Sequence, residues 1–137
     1  MVYRKDWGQP QQGVQGFARN MKAFGRKINL SVADLGTTNN VVGGFIVPGG
    51  FMILGWYGNV VPALGTALVL SIGDPAVPNR YLSGSTIGAA GGAFPAMAAT
   101  GQFFRTFTDT EIQILIATQS SAPVAGILEF YMFGMTV

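Results

Sequence analysis

Glu111-Ile112-Gln113-Ile114-Leu115-Ile116-Ala117-Thr118 sets Ile112, Ile114 and Ile116 at alternate positions. Successive side chains of an extended chain point to opposite faces, so a period of two marks a strand with one face turned to a core. Asp109 and Thr110 supply the turn before it, and Ser120–Pro123 makes the next break. The same period returns in Ala125–Met135, where Leu128, Phe130 and Met132 alternate with Ile127, Glu129, Tyr131 and Phe133. That stretch reads as a long terminal strand.

Working outward, Lys27–Leu35 alternates Ile28, Leu30 and Val32 with Lys27, Asn29, Ser31 and Ala33, a half-buried strand followed by a turn at Gly36–Asn40. Val41–Val47 and Phe51–Tyr57 flank Pro48-Gly49-Gly50, which reads as two strands on a tight connection, with glycine supplying positive φ. Phe45–Tyr57 is apolar enough to serve as core strand and subunit interface. Thr66–Ile72 alternates Leu68, Leu70 and Ile72 with Ala67, Val69 and Ser71, and stops at Gly73-Asp74-Pro75. Phe103–Phe107 reads as a short strand. Gly84–Ala99 is a Gly/Ala-rich loop whose small residues let backbone pack closely. About seven to eight short strands, with turn signals every ~8–12 residues, predict an all-β fold, an antiparallel β-sandwich or jelly roll.

Positive charge is concentrated at the N-terminus. Arg4, Lys5, Arg19, Lys22, Arg26 and Lys27 stand against Asp6 alone, whereas residues 28–137 hold only Arg80 and Arg105 against Asp34, Asp74, Asp109, Glu111 and Glu129. Residues 1–27, rich in Gln and Gly, read as an extended basic arm, and residues 28–137 as the β-sandwich domain. Val14, Phe17, Met21 and Phe24 recur at spacings of three and four, so Val14–Phe24 is expected to form a short amphipathic helix on contact with a partner. Of the 137 residues only 10% are charged and 49% are hydrophobic, against ~25% charged in typical soluble domains. A monomer must cover a large surface with polar groups. So few charges imply that much of this surface meets other protein.

The chain has no Cys and no His, which removes disulfides, thiolate nucleophiles, Cys or His metal sites and imidazole bases. Asp109 and Glu111 share a strand face and suit acid–base work or a hard cation in type, but nothing in the spacing brings a third acid to them. Ser83 and Ser85 lack a Gly-x-Ser-x-Gly frame, and no Gly-Lys-Ser/Thr follows Gly88–Gly92. No catalytic residue, cofactor or metal is expected. The uncharged stretches Leu35–Gly73 and Tyr81–Phe104 are interrupted by Pro and Gly and do not read as membrane spans. No secretory signal is read at the N-terminus.

Two candidate contact regions follow. Arg4, Lys5, Arg19, Lys22, Arg26 and Lys27, interleaved with Trp7, Phe17 and Phe24, suit an acidic protein groove with aromatic anchors, or nucleic acid with phosphate contacts and base stacking. The apolar body favours the protein partner. In Asp74-Pro75-Ala76-Val77-Pro78-Asn79-Arg80-Tyr81, two prolines stiffen a loop whose ends carry opposite charges, so Asp74 and Arg80 are expected to bridge its base. An exposed pair of that kind contributes only ~0–1 kcal/mol, and its task is loop shape.

From Thr66 onward the layout resembles small structural proteins of tailed bacteriophages, above all capsid decoration or cement proteins. The residues that carry the likeness are a strand ending in Ile72-Gly73-Asp74, the Pro75–Tyr81 loop, the Gly/Ala-rich link, a strand followed by Thr108-Asp109-Thr110-Glu111-Ile112, and Ala122-Pro123-Val124-Ala125-Gly126 before the last strand. It spans roughly half the chain, and the basic arm has no counterpart in it. The resemblance implies a non-enzymatic virion subunit, a homotrimer on the outer capsid surface whose partner is the major capsid protein. A nucleic-acid-binding module and a tail or head–tail adaptor are the alternatives.

Overall fold

The computed structural model of the chain describes residues 21–137. In chain order its elements are β1 (Met21–Leu30), a single helical turn α1 (Val32–Leu35), β2 (Val41–Val47), β3 (Phe51–Val61) and the two-residue β4 (Gly65–Thr66). They continue with β5 (Val69–Gly73), β6 (Leu82–Ser85), a second turn α2 (Ile87–Ala90), β7 (Gly92–Ala93), β8 (Thr110–Thr118), β9 (Ala122–Pro123) and β10 (Gly126–Thr136). One sheet has the order β1-β10-β3-β7 and the other β2-β8-β5-β6, with β4 and β9 as a small ribbon. Every pairing is antiparallel. The fold is a β-sandwich.

The alternating residues of β8 and β10 do what their period predicts. Ile112, Ile114 and Ile116 from one sheet and Leu128, Phe130 and Met132 from the other are all fully buried in a single core. Phe45 and Phe130 meet across the two layers with ring centroids 5.0 Å apart. Phe94, beyond β7, closes the side of the core against Trp56 at 5.2 Å and Phe130 at 5.6 Å, while Trp56 Nε1 donates to Pro95 O at 3.0 Å. The Gly/Ala-rich segment is thus docked, as its small residues suggest. A Cβ on Gly88 would come within 2.6 Å of Leu68 Cδ2.

Three expectations change, and the connection at Pro48-Gly49-Gly50 stands as read. The first strand stops at Leu30, because Ser31 Oγ accepts from Asp34 N at 3.1 Å and Asp34 Oδ2 accepts from Ser31 N at 2.9 Å, a reciprocal cap that starts α1 instead. The strand expected over Thr66–Ile72 is split at Ala67, whose φ is +65°. Phe103–Phe107 forms one isolated bridge, Met52 to Arg105, with Phe103 at φ +65°. Pro48-Gly49-Gly50 joins strands of different sheets, and Gly50 has the expected positive φ, +77°.

The largest change concerns the arm. Met21–Lys27 belongs to β1, which pairs continuously with β10 from Met21 opposite Met135 to Leu30 opposite Gly126. The ladder to β10 pairs one side of this segment's backbone, and Phe24 packs edge-on against Phe51 with centroids 5.1 Å apart. The part of the helix expected over Val14–Phe24 that is described, Met21–Phe24, is therefore strand, and its remainder lies outside the described residues.

The registers also orient the molecule. Met21 pairs with Met135, Thr136 with Phe51, and Val47 with Thr110. The start of β1, the Pro48–Gly50 connection and the start of β8 therefore share one end of the sandwich.

Candidate interaction surface

The Asp74–Arg80 loop lies at that end. Asp74 is 2% exposed, and its Oδ1 accepts from Ala76 N at 3.0 Å and Val77 N at 2.8 Å. Arg80 Nε donates to Asp74 Oδ2 at 2.6 Å, and the guanidinium carbon sits 3.7 Å from the centroid of the Phe104 ring. The expected bridge is present, but buried, so a surface-pair energy does not apply to it. Tyr81, next in sequence, is fully buried with its hydroxyl unpartnered. Burial raises its pKa, the Asp74 carboxylate raises it further, and Arg80 partly opposes both.

Beside this loop runs an open cleft of about 310 Å³ that reaches Phe107, Asp109 and Glu111. Its carboxylates are occupied locally. Asp109 Oδ1 accepts from Gly49 N at 3.1 Å and Glu111 Oε1 from Gln113 Nε2 at 2.8 Å. Among the described residues no cluster of three acidic side chains gathers to hold a metal.

The basic residues of β1 are structural in part. Arg26 falls at an inward position of an edge strand and reaches across the open side of the sandwich, donating from Nη1 to Gly44 O at 3.2 Å. The β2–β8 register shifts between Gly43 and Phe45, which leaves Gly44 as the extra residue of a bulge, and Arg26 takes up its carbonyl. Lys27 lies opposite Glu129 in register, 3.8 Å from its carboxylate. Lys22 is exposed. Phe24 is packed against the core and is not a free anchor. Arg4, Lys5, Trp7, Phe17 and Arg19 lie outside the described residues.

The outer face of β1, β10 and β3 was not singled out from the sequence. Register rows place Ala23, Phe133 and Gly55 side by side, then Gly25, Tyr131 and Tyr57, then Lys27, Glu129 and Asn59, then Asn29, Ile127 and Val61. Tyr57 and Tyr131 stack with centroids 5.4 Å apart. A Cβ on Gly25 would lie 2.6 Å from Tyr131 Cδ1, and one on Gly55 would lie 2.7 Å from Phe133 Cζ, so each ring fills the space its glycine leaves. Tyr57 is 61% exposed, Val61 56%, Ile127 39% and Phe133 38%. The signal was available in the other phase of the β10 alternation, where three apolar or aromatic residues flank a single acid.

Comparison with protein-family models and with curated proteins returns no match. Among solved structures, a chain of the cyanophage Pam1 capsid asymmetric unit superposes with a TM-score of 0.72 at 22% identity, covering 86% of each chain. A chain of the capsid of Ralstonia phage GP4 superposes with a TM-score of 0.73 at 17% identity, covering 86% of this chain and 85% of that one. This is a fold found in phage capsids. The likeness covers far more of the chain than the segment from Thr66 onward that suggested it.

Proposed function

We propose that the chain is a non-enzymatic structural subunit of a phage virion, bound to the surface of the capsid shell as a decoration or cement protein. The observation that carries this reading is the fold shared over 86% of the chain with chains of two phage capsids. The charge distribution supports it. In residues 21–137, Lys22, Arg26, Lys27, Arg80 and Arg105 balance Asp34, Asp74, Asp109, Glu111 and Glu129, so the net side-chain charge of +2 resides in residues 1–20. A neutral body with an apolar outer face suits contact with protein, and Arg4, Lys5 and Arg19 with Trp7 and Phe17 suit an acidic patch on the major capsid protein. Body and N-terminal contacts made together raise avidity by ~10²–10⁴-fold over either alone.

The test is to purify virions of the phage that encodes this chain and to measure its copy number against the shell protein by quantitative mass spectrometry, with antibody labelling of intact particles. A high, fixed ratio and surface labelling are expected. Absence from the particle, or a ratio of a few copies per virion, overturns the reading.

A further inference from the structure

The cleft beside the Asp74–Arg80 loop is lined by Pro75, Ala76, Phe104 and Phe107 together with Asp109 and Glu111. Phe107 is 79% exposed, more than any other large apolar side chain among the described residues. The backbone on both sides of it is fixed. Thr106, itself buried, donates from Oγ1 to Pro48 O at 2.7 Å, and Asp109 Oδ1 accepts from Gly49 N at 3.1 Å. The ring is thus held out by ordered chain, a preorganised contact surface. The carboxylates beside it are not neutralised. Asp74 has Arg80, but neither Asp109 nor Glu111 forms an ion pair among the described residues, and Asp109 Oδ2 and Glu111 Oε2 accept no hydrogen bond there. The nearest cation, Arg105, lies over the Phe107 ring at 5.5 Å from its centroid, outside the cleft lining.

We infer that this cleft takes the chain's own N-terminal segment, with Arg4 and Lys5 at Asp109 and Glu111 and Trp7 against Phe107. Charge selects this occupant. Side-chain charges cancel over residues 21–137, while residues 1–20 hold Arg4, Lys5 and Arg19 against Asp6, so the excess cations of the chain match the unpaired acids of its cleft. The point of attachment selects it too. Residues 1–20 lead into Met21, opposite Met135, and Val137 N donates to Gly50 O, so the segment joins the body at the end where the cleft opens. Trp7 precedes Met21 by 14 residues, a reach of up to about 46 Å. The end of a four-stranded sandwich is only about 15 Å across its strands and about 10 Å between its sheets. A tether of this kind presents the segment at an effective concentration on the order of 1 mM, so the contact forms within one chain at dilution. The inference concerns the free chain and does not rest on the virion reading. It adds that a shell must displace Arg4 and Lys5 from this cleft before binding them.

The experiment is tryptophan fluorescence quenching of the full chain by acrylamide, a neutral quencher, at low protein concentration and without particles. Trp56 is buried, and Trp7→Phe measured in parallel isolates the signal of Trp7. In the wild type Trp7 is expected to be shielded. Asp109→Asn combined with Glu111→Gln removes both charges, yet the amide oxygens still accept from Gly49 and Gln113, so the variant is expected to fold, which circular dichroism checks. Its Trp7 is expected to be quenched about two- to fivefold more readily, the change in bound-to-free ratio that losing one or two exposed ion pairs gives. Phe107→Ala and high salt on the wild type are expected to act in the same direction. Glu129→Gln, an acid on the outer face of β10, is expected to leave the shielding intact. Trp7 as accessible in the wild type as in the double variant, or equal release by Glu129→Gln, overturns the contact. Shielding that grows with protein concentration places a second copy's segment in the cleft and overturns it as well. The virion reading is judged separately by whether the chain is present in purified particles.

Discussion

Arg80 donates from Nε to the buried carboxylate of Asp74 at 2.6 Å, and the two side chains are only 14% and 3% exposed. The carboxylate is held on its other side by the amides of Ala76 and Val77. Two prolines bring the chain ends close, and the ion pair locks them against Phe104. The loop is thereby part of the folded end of the sandwich.

Breaking such a pair from one side leaves a charge without its partner, which costs about 3–5 kcal/mol. Asp74→Ala is expected to fall in that range, since it also strips two backbone amides of their acceptor. Arg80→Ala is expected to cost less, because Asp74 keeps both amides. Urea denaturation midpoints of the two variants check the order. Equal and negligible shifts would mean the loop is not tied into the fold.

Tyr81 gives a pH signature. Burial raises its pKa above the ordinary phenol value of about 10, with Asp74 adding to the effect and Arg80 opposing it. The folded state therefore holds the phenolic proton more tightly than the unfolded chain does. That stabilisation is complete below about pH 10 and is lost progressively as pH rises toward the folded value. Tyr81→Phe is expected to remove this part of the alkaline loss and to cost little at neutral pH, because the buried hydroxyl has no partner to lose. Thermal melts between neutral and strongly alkaline pH test both statements.

The end of the N-terminal segment can be located by truncation. Removing residues 1–20 leaves β1 whole, so the circular dichroism spectrum and cooperative melt are expected to persist while binding to shells is lost. Removing residues 1–27 takes most of β1 from beside β10, along with Phe24 and Arg26, and exposes the edge of the core. That chain is expected to aggregate or melt without cooperativity. Shell binding retained by the shorter truncation would remove residues 1–20 from the contact.

Phe130 touches Phe45, Trp56 and Phe94, linking both layers and the docked Gly/Ala-rich segment. Phe130→Ala is expected to destabilise by about 3–5 kcal/mol. Hydrogen exchange should rise in β7 and around Phe94 as well as in β10. A loss confined to β10 would show that the segment is anchored elsewhere.

The β class, the core faces of β8 and β10, the absence of cysteine and histidine chemistry and the partition of charge were all legible in the residues. Strand periodicity is a relation between a residue and its second neighbour, so it survives in a linear reading. The start of β1 was not legible, because Arg26 occupies an inward position and breaks the apolar alternation. Only the bulge carbonyl of Gly44, brought across from β2, explains a cation there. The burial of Arg80 likewise involves Phe104, whose ring lies against its guanidinium, and the stacked face depends on Tyr57 meeting Tyr131 from a strand far away in sequence. Local alternation determined which side of each strand is apolar. Pairing between residues far apart in the chain decided which strands are neighbours, where the N-terminal segment ends and which apolar side remains open, because those outcomes are set by long-range hydrogen bonds and packing that no short stretch of sequence contains.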